Sequence, residues 1–230
     1  MSKTIEHFGE RLIKRKYSFK LNRDEFALIN THPSFNLSEE IFLKNGLEIE
    51  NKDNKISYKQ EWCEEYRKLC LQNYDLNMKY FNLLDKDEFN EKLDNFLNKH
   101  KNFKEVKDLK ECEGMEGYYI MVLDEYKQVY IGQSTNIRKR IKHHWVSTLP
   151  FDRTLFPWYA VNTSVFSIDF FRPLDTTRIY VVDRMLNYTY EDWLISRFPK
   201  KFLINRIGGN VTLAIEAIAS QNIRDFSKLQ

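Results

Sequence analysis

From Tyr58 to Leu84 the apolar residues Trp62, Tyr66, Leu69, Tyr74, Leu76, Tyr80, Leu83 and Leu84 recur at roughly helical intervals, and Phe89, Leu93, Phe96 and Leu97 repeat the rhythm over 87–100. The spacing predicts a pair of amphipathic helices whose aromatic residues are core. Residues 1–57 mix shorter helical patterns with breakers at His32-Pro33 and Asn45-Gly46, and are expected to be mostly helical. After Gly117 the period changes. The segments YYIMVL and QVYIG are β-rich and separated by the polar DEYK, which predicts a hairpin. Ser134 or Thr135 is placed to cap the helix that follows, NIRKRIKHHW. Further on, VFSIDFF and RIYVV read as strands divided by a turn at Pro173-Leu174-Asp175. Asp183 is placed to cap a last helix, RMLNYTYEDWLISRF, which Pro199 stops.

The change of pattern near Glu113 and Gly114 divides the chain into a mainly α-helical region over 1–113, a domain over 114–210 with a small mixed or antiparallel sheet flanked by helices, and a C-terminal helix or tail over 211–230. The expected fold class is α+β.

Charge sharpens the division. The net charge is only +3, but residues 115–210 hold 13 Lys and Arg against 9 Asp and Glu, whereas residues 1–114 hold 21 against 22. A local basic excess suits a phosphate-rich partner. The three cysteines, Cys63, Cys70 and Cys112, are odd in number and show no metal-binding spacing, so neither a disulfide framework nor a zinc site is expected. No apolar run reaches the ~20 residues of a membrane span, and the start MSKTIEHFGERLIKRK is not a secretory signal. These features point to a cytoplasmic, reducing location and no membrane partner.

The candidate chemistry lies on the basic helix and its successor. At about 100° per residue, Ile137, Ile141 and Trp145 form a buried stripe, with Arg140 and His144 along its sheltered edge. Arg138, Lys139, Lys142 and His143 point to solvent. Arg140 and His144 are either a cover and a helix-terminal histidine, or a forked phosphate donor and a proton-transfer partner. Glu191 falls between Tyr190, Leu194, Ile195 and Phe198. A carboxylate so placed is expected to be paired, protonated or bound to a cation.

The ordered set GYY (117–119), YIG (130–132), Ser134, Asn136, Arg140, His144, Glu191 and Asn205 resembles the signature of the GIY-YIG nucleases across about 95 residues. Tyr118 replaces the family's isoleucine, on the strand face opposite Tyr119. The stretch from Leu149 to Asp183 is longer than the family's minimum.

The resemblance implies a metal-dependent DNA endonuclease acting on a double-stranded substrate. Tyr119 or Tyr130 would activate or position water with His144 tuning it, Arg140 would bind the scissile phosphate, and Asn205 would brace the site. Glu191 would hold one Mg²⁺ or Mn²⁺ ion. The exposed Arg138, Lys139, Lys142 and His143 would contact backbone phosphates. The N-terminal region is left as a surface for a protein partner or a homodimer. The competing reading is a non-catalytic nucleic-acid-binding or interaction module with the same fold.

Overall fold

The computed structural model describes residues 3–14, 16–34, 40, 47–52, 55–157, 159–187, 189–206, 222–226 and 229. Their architecture is mixed α and β, with four α-helices and small antiparallel sheets. Most of the expected tail over 211–230 lies outside the described residues. Of its remainder, Phe226 is buried and Ile223 forms an isolated bridge with Ser164.

Among the described residues of 1–57, two β-hairpins stand where helix was expected, Glu40 is helical, and 35–39 and 41–46 lie outside the described residues. Strands β1 (Thr4–His7) and β2 (Glu10–Ile13) pair across Phe8-Gly9, whose φ values of 48° and 68° are both positive. That geometry matches the twist of short hairpins. A Cβ on Gly9 would lie 2.2 Å from Asp108 Oδ1, so the turn also needs glycine to pack closely. Strands β3 (Ile49–Lys52) and β4 (Lys55–Tyr58) form the second hairpin. Strands of four residues are too short to display a period of two, and for that reason their pattern resembles fragments of helix.

The predicted helical pair is present as α1 (Gln60–Leu83) and α2 (Lys86–Lys99), the latter capped by Asp85, whose side chain accepts from the Glu88 N–H at 2.6 Å. Strand β5 (Lys104–Val106) then joins β6 (Gly117–Leu123), β7 (Gln128–Ser134) and β8 (Arg178–Asp183) in one sheet of order β5-β8-β6-β7, antiparallel throughout. The sheet therefore takes an edge strand from before residue 114. Helix α3 (Ile137–Val146) follows β7, and α4 (Tyr190–Arg197) follows β8.

Strand β6 is buried along its whole length because both faces are covered. Tyr118, Ile120 and Val122 pack with Phe89, Leu93 and Phe96 of α2 and Leu194 of α4. Tyr119, Met121 and Leu123 face Ile137, Ile141 and Trp145 of α3 and the aromatic residues Phe166, Phe170 and Phe171. The expected stripe on α3 is thus present. Tyr118 serves the opposite layer, where its hydroxyl accepts from the Asn187 N–H at 2.6 Å.

Three local expectations change. Asn136, not Ser134 or Thr135, caps α3, accepting from the Lys139 N–H at 2.9 Å, while Ser134 Oγ accepts from the Asn136 N–H and shapes the approach. VFSIDFF is no strand; its apolar residues fill the core around a short 3₁₀ turn, Ile168–Phe170. Asp183 ends β8 rather than capping a helix, since α4 begins at Tyr190 and Trp193 stays 40% exposed.

Candidate active site

Register places the two tyrosines. Tyr119 pairs with Gly132 and Met121 with Tyr130, so Tyr119 and Tyr130 lie diagonally on the sheet face that α3 covers, with ring centroids 6.1 Å apart. The third residue of YIG has a steric reason. A Cβ on Gly132 would sit 2.5 Å from the Tyr119 ring and hydroxyl and 2.8 Å from Tyr130, so glycine alone lets the Tyr119 ring fold across β7. Gly132→Ala is expected to destabilise the fold by about 1–3 kcal/mol through overpacking and to push Tyr119 off its partner. Thermal unfolding and the Tyr119 hydroxyl contact, read by a crystal structure of the variant, check this.

The partner is His144. Its Nε2 lies 2.9 Å from the Tyr119 hydroxyl, and its Nδ1 lies 2.7 Å from Asp169 Oδ1. His144 is 1% exposed, and its basicity is lowered chiefly by burial, whereas Asp169 is held below the usual carboxylate range through its hydrogen bond to His144. At neutral pH the pair is therefore a carboxylate and a neutral imidazole. The carboxylate holds the proton on Nδ1, leaving Nε2 to accept from Tyr119. Burial pushes the Tyr119 hydroxyl well above its ordinary value and Tyr130 up to about 12. Both are neutral phenols, and the aid that Tyr119 has comes from a neutral acceptor as well as from nearby cations.

Asp169 is the residue that sequence reasoning missed. It hides inside VFSIDFF, where one carboxylate among six neighbours with little polarity was itself the signal.

Arg140 interacts with both phenols. It is exposed rather than sheltered, so its guanidinium remains open to a ligand. The basic residues beside it differ from expectation in a specific way. Lys139 and His143 are exposed, but Arg138 Nε lies 2.5 Å from Glu10 Oε1 and also pairs with Glu113, and Lys142 Nζ lies 2.7 Å from Glu10 Oε2. The first hairpin thus inserts an almost buried carboxylate between two of these four basic residues. It also brings Arg11, which lines one groove with Arg138, Lys139, Lys142 and His143.

The outer edge of β7 fixes the remaining two residues. Edge strands expose unpaired backbone groups, and here several are met by neighbouring residues. The Ile204 N–H donates to the Val129 carbonyl at 2.9 Å. Asn205 accepts from the Ile131 N–H at 3.1 Å and donates to the Ile131 carbonyl at 2.7 Å. The Gln133 N–H is hydrogen-bonded to the Glu191 carboxylate. Asn205 is therefore a brace, and Glu191 is held to the same strand that carries Tyr130.

Glu191 is 5% exposed, and burial, assisted by Asp192, pushes its carboxyl up to about 7. Among the described residues it has no ion pair, and Arg140 only attracts it from a distance. This carboxylate lacks a countercharge, which fits a cation ligand. No group of three or more His, Cys, Asp or Glu among the described residues could hold a metal unaided. A bound ion would therefore take its other ligands from water and phosphate, as Mg²⁺ commonly does.

No family model, curated protein or solved structure matches this chain. What the site can do rests on its geometry and on the signature residues. No helix among the described residues is long and apolar enough to cross a membrane. Cys63, Cys70 and Cys112 are buried and free.

Proposed function

We propose that the chain is a metal-dependent DNA endonuclease of the GIY-YIG kind. The observation that carries this reading is the hydrogen-bonded series Asp169–His144–Tyr119, set beside an exposed Arg140 and a buried, uncompensated Glu191. A carboxylate-oriented imidazole facing a phenol, beside an exposed arginine and an uncompensated carboxylate, is an arrangement suited to moving a proton. In the proposed reaction Tyr119 takes a proton from the attacking water while passing its own to His144 Nε2, and Asp169 stabilises the imidazolium. Arg140 binds the phosphate and meets the charge that grows on it as the bond to the leaving oxygen breaks. Tyr130 orients the phosphate side of the site, and Asn205 keeps β7 in place. A divalent ion on Glu191, Mg²⁺ or Mn²⁺, would supply charge stabilisation to the leaving oxygen.

Incubation of the protein with plasmid and Mg²⁺ or Mn²⁺, beside Glu191→Ala and Arg140→Ala, tests the reading. Nicking or linearisation by the wild type alone is expected. Intact plasmid, linear and branched DNA under every metal would overturn it, and salt-sensitive binding without cleavage would favour the non-catalytic module.

The ion pairs of Glu10 make a separate prediction. Glu10→Gln frees Lys142, while Arg138 keeps its pair with Glu113, and the change is expected to tighten duplex binding at low salt and to steepen the plot of log affinity against log salt by about one. Fluorescence anisotropy across a salt series measures both.

A further inference from the structure

Helix α3 divides two concave surfaces. At roughly 100° per residue, Arg140 and Lys142 stand about 200° apart around its axis, on opposite flanks of the buried stripe. On one flank Arg140 and His144 line a cavity of about 590 Å³ with Tyr130 and Asp169. On the other, Arg138 and Lys142 line a groove of about 790 Å³, whose far wall is Arg11, Leu12 and Ile13 of β2 and residues 16–19. Between the flanks, the exposed crown of the helix carries Lys139 and His143.

The groove is strongly positive. Its lining holds six Arg and Lys side chains against a single carboxylate, Glu113. Some of this charge is already matched. Arg138 pairs with Glu113 and Glu10, Lys142 pairs with Glu10, and Arg172 lies 4.5 Å over the Tyr17 ring while donating to the Ser147 carbonyl at 2.7 Å. Arg11, Lys16 and Lys139 are left. All three are exposed and, among the described residues, none has an ion pair. Unmatched cations on two separate elements around one groove suit a polyanion. An α-helix with its side chains is about 10–12 Å across, and the major groove of a DNA duplex, about 12 Å wide, admits one. A duplex that seats α3 in this way has one of its two backbones along each flank.

We propose that α3 rides in the major groove of duplex DNA, with the strand to be cut against Arg140 and the phosphates of the uncut strand against Arg11 and Lys16. Resting on the nuclease reading, this makes the substrate double-stranded and gives the first hairpin, with the segment that follows it, the task of holding the second strand. The contacts are to phosphate and carry no sequence information.

Fluorescence anisotropy on the full chain carrying Glu191→Gln, in EDTA so that nothing is cut, measures affinity for a labelled duplex and for one of its strands across a salt series. Adding Arg11→Gln and Lys16→Gln together is expected to lower the duplex salt slope by about two, since each phosphate contact contributes ~0.9, and to weaken duplex binding roughly tenfold while leaving the single strand within about twofold. Lys99→Gln with Lys101→Gln, at two exposed lysines outside the groove, removes the same charge and is expected to leave the slope unchanged. An unchanged duplex slope in the groove variant, or equal losses for duplex and single strand, overturns the proposal. So does displacement of the duplex by polyglutamate at equal charge concentration, which would assign the groove to an acidic protein. Arg11 and Lys16 are exposed, so their variant is expected to keep its melting temperature; if it unfolds, Lys16→Gln alone carries the conclusion with a slope change of about one. Cleavage is read separately. Plasmid left intact by the wild type under every metal, with the slope lowered as expected, removes the nuclease reading and keeps the groove; plasmid cut by the wild type, with the slope unchanged, does the reverse.

Discussion

Arg140→Ala is expected to slow single-turnover cleavage of duplex DNA by roughly 10²–10³-fold, the usual cost of losing one donor aimed at developing charge, while changing duplex affinity by less than about threefold. The asymmetry follows from position. Arg11, Lys139 and Lys142 line a groove on the same helix's surface and supply phosphate contacts of the same sign, so the loss of one cation barely alters the total. None of them replaces Arg140 over the two phenols. The fold should tolerate the change, because the Arg140 side chain is exposed and lies outside the apolar stripe of α3. Arg140→Lys separates charge from geometry: it keeps the cation but lacks the forked donor pair, and only a minor part of the rate should return. Parallel losses in affinity and rate would place Arg140 among the general phosphate contacts and remove it from the proposed chemistry.

How much of this was legible in the sequence depends on the range over which each residue is held. The hairpin β6–β7, the stripe Ile137, Ile141 and Trp145, and the long α1 and α2 are set by neighbours a few positions away, so period and turn chemistry suffice to find them. Glu191 was also visible, because a carboxylate among apolar neighbours is conspicuous wherever its helix starts. The misread elements are those whose state is decided at long range. VFSIDFF has the composition of a strand, yet its aromatic residues are packed in the core beside Phe26 and Tyr74. Glu10 is unremarkable until the first hairpin carries it 128 residues along the chain to Arg138. Asp169 acquires meaning only when His144, on another element, turns Nδ1 towards it.

Glu191→Gln is expected to abolish cleavage and at the same time to raise the stability of the protein at pH 8. The folded-state carboxyl titrates at about 7, above its ordinary value of 4.5, because burial and Asp192 penalise the anion. Between those two values the native state binds more protons than the unfolded chain, so this residue's contribution falls as pH rises through the window. Below about 4.5 the wild type and the variant should be equally stable on this account. Above about 7 the wild type bears the full penalty, at most about 3 kcal/mol, since each tenfold change in proton affinity is worth ~1.4 kcal/mol. Glutamine is uncharged at every pH, and its carbonyl oxygen can still accept from the Gln133 N–H, so the variant escapes the penalty without losing the tie to β7. The melting temperature of the variant at pH 8 should then exceed that of the wild type by roughly 5–10 °C, with the gap closing towards pH 5. Magnesium provides the complementary measurement. An ion that binds the Glu191 anion offsets its cost, so saturating Mg²⁺ should raise the wild-type melting temperature at pH 8 and leave the variant unmoved. Equal melting temperatures for the two proteins at pH 8 would remove the argument that Glu191 is an uncompensated anion. An equal response to Mg²⁺ would place the metal elsewhere. If both results are as expected, the fold gives up stability at this position in order to keep a carboxylate charged in an apolar setting. A purely structural glutamate has no reason to do so.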